Sequence, residues 1–442
     1  MRHHEKTPSI IPSVKNNSLT PSRRRILAGI TGLGLGQLVR MGIPFAGVPL
    51  SGSLALADSP PTRKLPPKMN TPTEGLNRLG WELFGKLSKD DLFLSPSSIG
   101  LALAMAEQGA RGETREQMRK VLHLEGSQTD VDPGWRAIID SLRAEKPGRQ
   151  VSLANRLFGQ KDYGFLPEYT ARLGKWFDAP LEEVDYQNNL EKSRVRINTW
   201  VEEQTRDMIK DLVPTGALTP MARLVLVNAI HFKGEWVSPF EKNSTKSQPF
   251  EPAPGKTITV DRMNKTGTYV TRSTNEAESL ELPCKGGDRG VHFILPKKRH
   301  GLAAVEKNIT PEDLDTLLFA EARPEPVKLG LPKFKLESNQ TLNGGLISLG
   351  MPLAFVPKAD FSGMNGGKEP LFIDSVLHKA VLVVDEKGAE AAAATAIMMR
   401  TLSVRIDPPK EFLVDQPFLV AITVKTTKGI LFLGRVVTPK AK

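Results

Sequence analysis

Seven histidines, one cysteine and one run of small residues are the features of this chain that invite a chemical reading. The histidines are His3, His4, His123, His231, His292, His300 and His378. None beyond the N-terminal pair has metal-ligand spacing, so neither a metal site nor a cofactor is expected. No G-x-S-x-G turn, H-E-x-x-H helix, Walker loop or C-x-x-C pair occurs. Catalytic triads are not local in sequence, but without a nucleophile turn no enzyme is expected. Cys284 is the single cysteine, which excludes an intrachain disulfide. In Glu281-Leu282-Pro283-Cys284 it has no histidine partner. A small buried hydrophobe is expected there, not a reactive thiol.

The small residues lie in "VVDEKGAEAAAATAIMMRTLS", residues 383–403. They follow Val381-Leu382-Val383-Val384, an apolar run with strand character. Alanine is the best helix former, yet Gly388 interrupts the stretch. Composition alone fits an Ala-rich surface helix or linker. As a strand, the same residues would alternate faces. Ala389, Ala391, Ala393 and Thr395 fall on one face. Glu390, Ala392, Ala394 and Ala396 fall on the other, which takes the one charge. Gly388 supplies a permissive backbone beside them.

The elements that would position these residues are those of one large folded domain. Of 442 residues, 39% are hydrophobic and 25% charged, as in soluble globular proteins. Ser22-Arg23-Arg24-Arg25-Ile26-Leu27 opens an apolar stretch that ends at Ala55-Leu56-Ala57. This pattern predicts a secretory leader over residues 1–57, of twin-arginine type. Arg40, Pro44 and Pro49 interrupt its middle and argue against a membrane anchor. No later stretch is long enough to span a membrane. Residues 58–69 are expected to be a flexible lead, residues 70–442 a single domain, and the mature protein exported to the periplasm or extracellular space. The formal charge of +11 falls to +5 without the leader. With no long basic run, nucleic acid is not an expected partner.

Helical spacing marks "NRLGWELFGKL", the stretch "SPSSIGLALAMAEQGARGETREQMRKVL" as an apolar helix capped by Ser and Pro and then a Gly-broken second helix with a charged face, and "VRINTWVEEQTRDMIKDLVP", ended by Pro214. "RLVLVNAIHFKGEW" predicts a long strand. Strand-like runs dominate from residue 249, including "VKLGLPKFKLE", "KAVLVVDE", "FLVAITV" and "ILFLGRVV". The fold class is therefore α+β, helices early and strands late, with a large mixed sheet as its spine.

Several separated segments, in order, resemble one family. They are "FLSPSSIGLALAMAEQGARGETREQM", "ANRLFGQKDYGFLPEYTARL", "INTWVEEQT", "LVNAIHFKGEW", "LPKFKLES", "LGMPLAF", "ADFSGM", "VLHKAVLVVDEKGAEAAAATA" and "DQPFLVAI" with "GILFLGRVVTP". The chain resembles the serpins, serine protease inhibitors, over essentially all of residues 70–440. The resemblance implies three β-sheets, the largest a central mixed sheet, with about nine helices and an exposed reactive loop near the C-terminus. It also implies a mechanism in which a protease cuts the loop. The segment before the cut then enters the main sheet as a strand and traps the acylated protease.

The family's residue roles carry over by position. The hinge runs through Glu386, Gly388, Ala389, Glu390, Ala391, Ala392, Ala393, Ala394 and Thr395. Ala389 stands where the family usually has Thr or Ser. The reactive bond lies 16 positions after Glu386, between Leu402 and Ser403, with Arg400-Thr401 as the alternative. A polar cluster under the parting strands matches Ser95, Ser98, Asn228 and His378. At the top of the sheet, Trp236, Lys333 and Glu386 match a packed tryptophan and an ion pair. The implied partner is a chymotrypsin- or elastase-like serine protease, with cysteine proteases a second class. It would be bound covalently, one to one, by a monomer. Cleavage after Arg400 would suit a trypsin-like enzyme. The competing class is a non-inhibitory binding or carrier serpin; such members often carry bulky, charged or proline residues in the hinge.

Overall fold

The computed structural model describes residues 72–144, 146–389 and 408–440. The expected leader (1–57), the lead (58–69) and the loop residues Glu390, Ala391, Ala392, Ala393, Ala394, Thr395, Arg400, Thr401, Leu402 and Ser403 lie outside the described residues. The described helices are α1 (Pro72–Lys86), α2 (Pro96–Gly109), α3 (Gly112–Val121), α4 (Gln128–Arg143), α5 (Pro167–Phe177), α6 (Leu190–Thr205), α7 (Leu302–Asn308), α8 (Pro311–Phe319), α9 (Asn343–Leu349) and α10 (Ser362–Asn365). The described strands are β1 (Leu92–Leu94), β2 (Arg149–Gln160), β3 (Glu182–Val184), β4 (Leu224–Glu235), β5 (Thr245–Ala253), β6 (Lys256–Ser273), β7 (Ala277–Pro283), β8 (Arg289–Pro296), β9 (Pro324–Pro332), β10 (Phe334–Thr341), β11 (Ser375–Val384), β12 (Gly388–Ala389), β13 (Lys410–Leu413), β14 (Phe418–Val424) and β15 (Gly429–Val436).

The main sheet has the order β10-β11-β12-β4-β2-β3. It is mixed: β11 and β4 run parallel, as do β2 and β3, while β10–β11 and β2–β4 are antiparallel. The other strands follow the path β1-β15-β14-β8-β7-β6-β9-β13, with β5 on β6. Strand β6 belongs to two sheets. Its residues up to Val270 pair with β5 and β9, and Val270–Ser273 pair with β7. Three sheets therefore arise from two hydrogen-bonded networks.

Between the main sheet and β15 lies α2, and every one of its residues is buried. It is apolar nearly all round, as a helix enclosed on all sides must be. Ser95 caps it by accepting from the Ser98 N–H, and Pro96 sits in its first turn.

Three expectations from sequence need correction. The helix over residues 195–214 stops at Thr205, not at Pro214, because Arg206 and Asp207 take left-handed φ of 54° and 61°. Ile209, Leu212 and Val213 then join Leu377 and Val381 of β11 in one buried apolar cluster. The run "VKLGLPKFKLE" is two strands that divide at Lys333, where the chain leaves one sheet for the other. The separation of early helices from late strands is partial, since the 12-residue β2 comes early and α7 to α10 come late.

Candidate functional site

Beyond Val384 the chain turns back and re-enters the main sheet as β12. Ala389 pairs antiparallel with Val384 on one side and with Gly234 on the other; Gly388 pairs with Glu235. Ala389 is fully buried and belongs to the main core. Gly388 is needed for space, not for an unusual φ. A Cβ there would stand 2.2 Å from the Gly234 carbonyl oxygen and 2.7 Å from the Glu235 Cα. Below this point nothing separates β11 from β4. They pair directly from Ser375–Val225 to Val381–His231.

Three strand ends fix the entry point. Trp236, fully buried, donates its Nε1–H to the Asp385 carbonyl at 3.0 Å, and its backbone N–H to that of Lys387 at 3.0 Å. The Phe240 N–H donates to the Glu386 carbonyl at 2.8 Å. The Glu386 carboxylate accepts from Lys333 Nζ at 3.1 Å and from Thr245 Oγ1 at 2.9 Å. Burial pushes this carboxyl up, but bonds from its own backbone, Thr245 and Lys333 outweigh that and leave it below the usual range. Lys333 reaches it because it is the crossover residue between β9 and β10.

The polar cluster lies further down the β4–β11 seam. Asn228 and His378 are register partners in the parallel pair, and Asn155 is opposite Asn228 on β2. The Ser95 N–H donates to His378 Nε2 at 3.2 Å, so Nε2 is the unprotonated nitrogen. Nδ1 then carries the hydrogen and donates to Asn228 Oδ1. Asn228 Nδ2 donates to Ser98 Oγ and to Asn155 Oδ1, each at 2.5 Å. Ser95 Oγ donates to the Leu431 carbonyl at 2.6 Å, tying the cluster to β15. Burial pushes the His378 pKa down to about 3.

The geometry brings Ser95, Ser98, Asn228 and His378 into one network, and Trp236, Lys333 and Glu386 into another. Three contributors escaped the reading from sequence. Asn155 left a signal, a polar residue inside the apolar run of β2. Thr245 and Asp385 left none. Cys284 is fully buried, bridges in register to Trp236, and its thiol is pushed up to about 12 by burial. Among the described residues no group of His, Cys, Asp and Glu could hold a metal ion.

A family profile described as "Serpin (serine protease inhibitor)" matches residues 74–439. The chain is a serpin. Its family is one of protease inhibitors, not of enzymes. A leukocyte elastase inhibitor of Bos taurus is 39% identical over 360 residues, 79% of this serpin and 93% of the relative. An uncharacterized serpin-like protein of Thermococcus kodakarensis is 37% identical over 369 residues, 83% and 85% of the two chains. The crystal structure of a highly specific serpin from the insect Tenebrio molitor superposes with a TM-score of 0.75 at 30% identity, covering 84% of this serpin and 97% of that chain.

Proposed function

We propose that this serpin is a suicide-substrate inhibitor, cut after Leu402, that inserts residues 390–402 between β4 and β11 behind the seated Ala389 and carries an acylated protease with them. The observation that carries this reading is the seating of Gly388 and Ala389, antiparallel to both neighbours, at the head of a parallel seam. A strand continuing in the same register would set Thr395 opposite Asn228 and His378. Its inward face would hold only Ala389, Ala391, Ala393 and Thr395 down to that point. Each residue inserted would exchange one parallel pairing for two antiparallel ones, and antiparallel pairing is slightly more stable per residue. Bulky or charged hinge residues, which would favour the carrier reading, are absent from this inward face.

The target class is chymotrypsin- or elastase-like. Leucine suits a hydrophobic primary pocket, and the bovine relative is named as an inhibitor of leukocyte elastase. The complex is covalent, one to one, formed by a monomer exported through its leader. The deciding experiment compares the melting of the intact protein with that of the protein nicked in the loop. Nicking should raise the melting temperature strongly. Equal values would sink the inhibitory reading. Mass spectrometry of the C-terminal fragment gives the bond: a fragment starting at Ser403 fits Leu402, and one starting at Thr401 makes Arg400 the cut site and the target trypsin-like.

A further inference from the structure

The turn that delivers Gly388 into the sheet is closed by a side chain. In a tight two-residue hairpin the residues flanking the turn exchange backbone hydrogen bonds. Here the Asp385 N–H does donate to the Gly388 carbonyl, at 3.0 Å. The return bond is not made; the Asp385 carbonyl accepts from Trp236 Nε1. The Asp385 carboxylate takes its place: Oδ1 accepts from the Gly388 N–H at 3.3 Å and from the Lys387 N–H at 2.9 Å. Glu386 and Lys387 both keep negative φ, so the turn is not the type I′ form favoured in two-residue hairpins. Without the carboxylate two backbone N–H groups at the mouth of the sheet would lose their acceptor.

We infer that Asp385 is a positioning residue for loop insertion, its carboxylate holding Gly388 and Ala389 in register between β4 and β11 before any protease arrives. The packed Trp236 and the aspartate form one device. The indole N–H is bonded to the carbonyl of residue 385, and the carboxylate of the same residue accepts from the Lys387 and Gly388 N–H groups. Asparagine, with a side-chain oxygen of the same reach, can do the same; alanine cannot. The first inserted pair is therefore set by an acceptor four residues before Ala389, outside the small-residue run that must enter.

The test is hydrogen–deuterium exchange of the intact protein, read on the peptide covering residues 381–389, in wild type, Asp385→Ala and Asp385→Asn. Loss of a charge-assisted acceptor should speed exchange there about tenfold in the alanine variant. The asparagine variant should stay within about threefold of wild type, as a weaker acceptor of the same shape. Alanine exchanging like wild type would overturn the inference, as would asparagine exchanging as fast as alanine. A matching rise in peptides from β14 and β15 would also overturn it, since it would report loss of the fold and not of the turn. A second arm rests on the inhibitory reading: against chymotrypsin, the alanine variant should yield several times more cleaved serpin per complex, and the asparagine variant should not. If wild type forms no complex, that reading fails and the exchange arm still decides the role of Asp385.

Discussion

Asn228 and His378 face each other across the parallel pair β4–β11, joined side chain to side chain where an inserting strand would have to pass. Their bond stabilises the intact seam and is necessarily absent once a strand lies between them. Asn228→Ala should therefore lower the melting temperature of the intact protein, by about 1–3 kcal/mol of stability for the stranded His378 and Ser98 groups. The nicked protein should lose less. Equal losses in the two forms, measured by calorimetry, would show that the bond is not specific to the closed seam.

Acid should loosen the same seam. His378 has a folded pKa near 3, well below its ordinary value of 6.5. It stays neutral in the fold, while the unfolded chain takes up its proton below pH 6.5. The stability it contributes is complete above pH 6.5 and is lost as pH falls towards 3. Protonation would also aim an Nε2–H at the Ser95 N–H. His292 is likewise held near 3 by burial and adds to the slope. Each histidine should contribute about 1 kcal/mol per pH unit within that window. Melting curves from pH 7 to pH 5 check this: His378→Gln should show roughly half the wild-type histidine slope, and an unchanged slope would refute the neutral assignment.

Gly388→Ala should unseat the hinge. The new Cβ would meet backbone atoms of Gly234 and Glu235, neither of which can rotate away. Overpacking of this kind costs roughly 1–3 kcal/mol. Partition on a denaturing gel after reaction with chymotrypsin should shift from complex towards cleaved serpin. A partition equal to wild type would mean that β12 need not be preformed.

Lys333→Ala should weaken the intact form and change its acid response. The Lys333 side chain is 33% exposed and that of Glu386 10%. Its loss should cost about 1–3 kcal/mol, between the limits for exposed and buried pairs. Glu386 lies below its usual range, so its contribution is present above about pH 4.5 and lost as pH falls through the folded value. The variant should lose less stability than wild type on acidification from pH 5 to pH 3. Parallel curves would show that the pair contributes nothing.

Sequence order and apolar period were enough to anticipate the α+β class, the long strand β4 and the apolar helix α2, while the matching of Ser95, Ser98, Asn228 and His378 to one cluster came from the resemblance. Those features depend on local spacing or on long ordered resemblance. What escaped depends on pairing. Asn155 matters because register sets it opposite Asn228, which no local pattern encodes. Gly388 was valued for backbone freedom, whereas the folded chain uses its lack of a side chain against Gly234. The early stop of α6 comes from two left-handed residues, Arg206 and Asp207, neither of them glycine. Lys333 was matched by resemblance to an ion pair with Glu386; that its strand-like run divides there, turning the lysine into a crossover, was not visible.

The position of β14 and β15 has a consequence for any assay of cleavage. Both strands follow the reactive loop in sequence, yet both are wholly buried and flanked by strands from earlier in the chain, β8 on one side and β1 on the other. A serpin cut at Leu402–Ser403 would thus be two polypeptides in a single folded body. Gel filtration or light scattering under native conditions would register no loss of mass, and the short fragment would separate only in denaturant. Covalent continuity and structural integrity would be decoupled at such a cut, and the chain could be severed without coming apart.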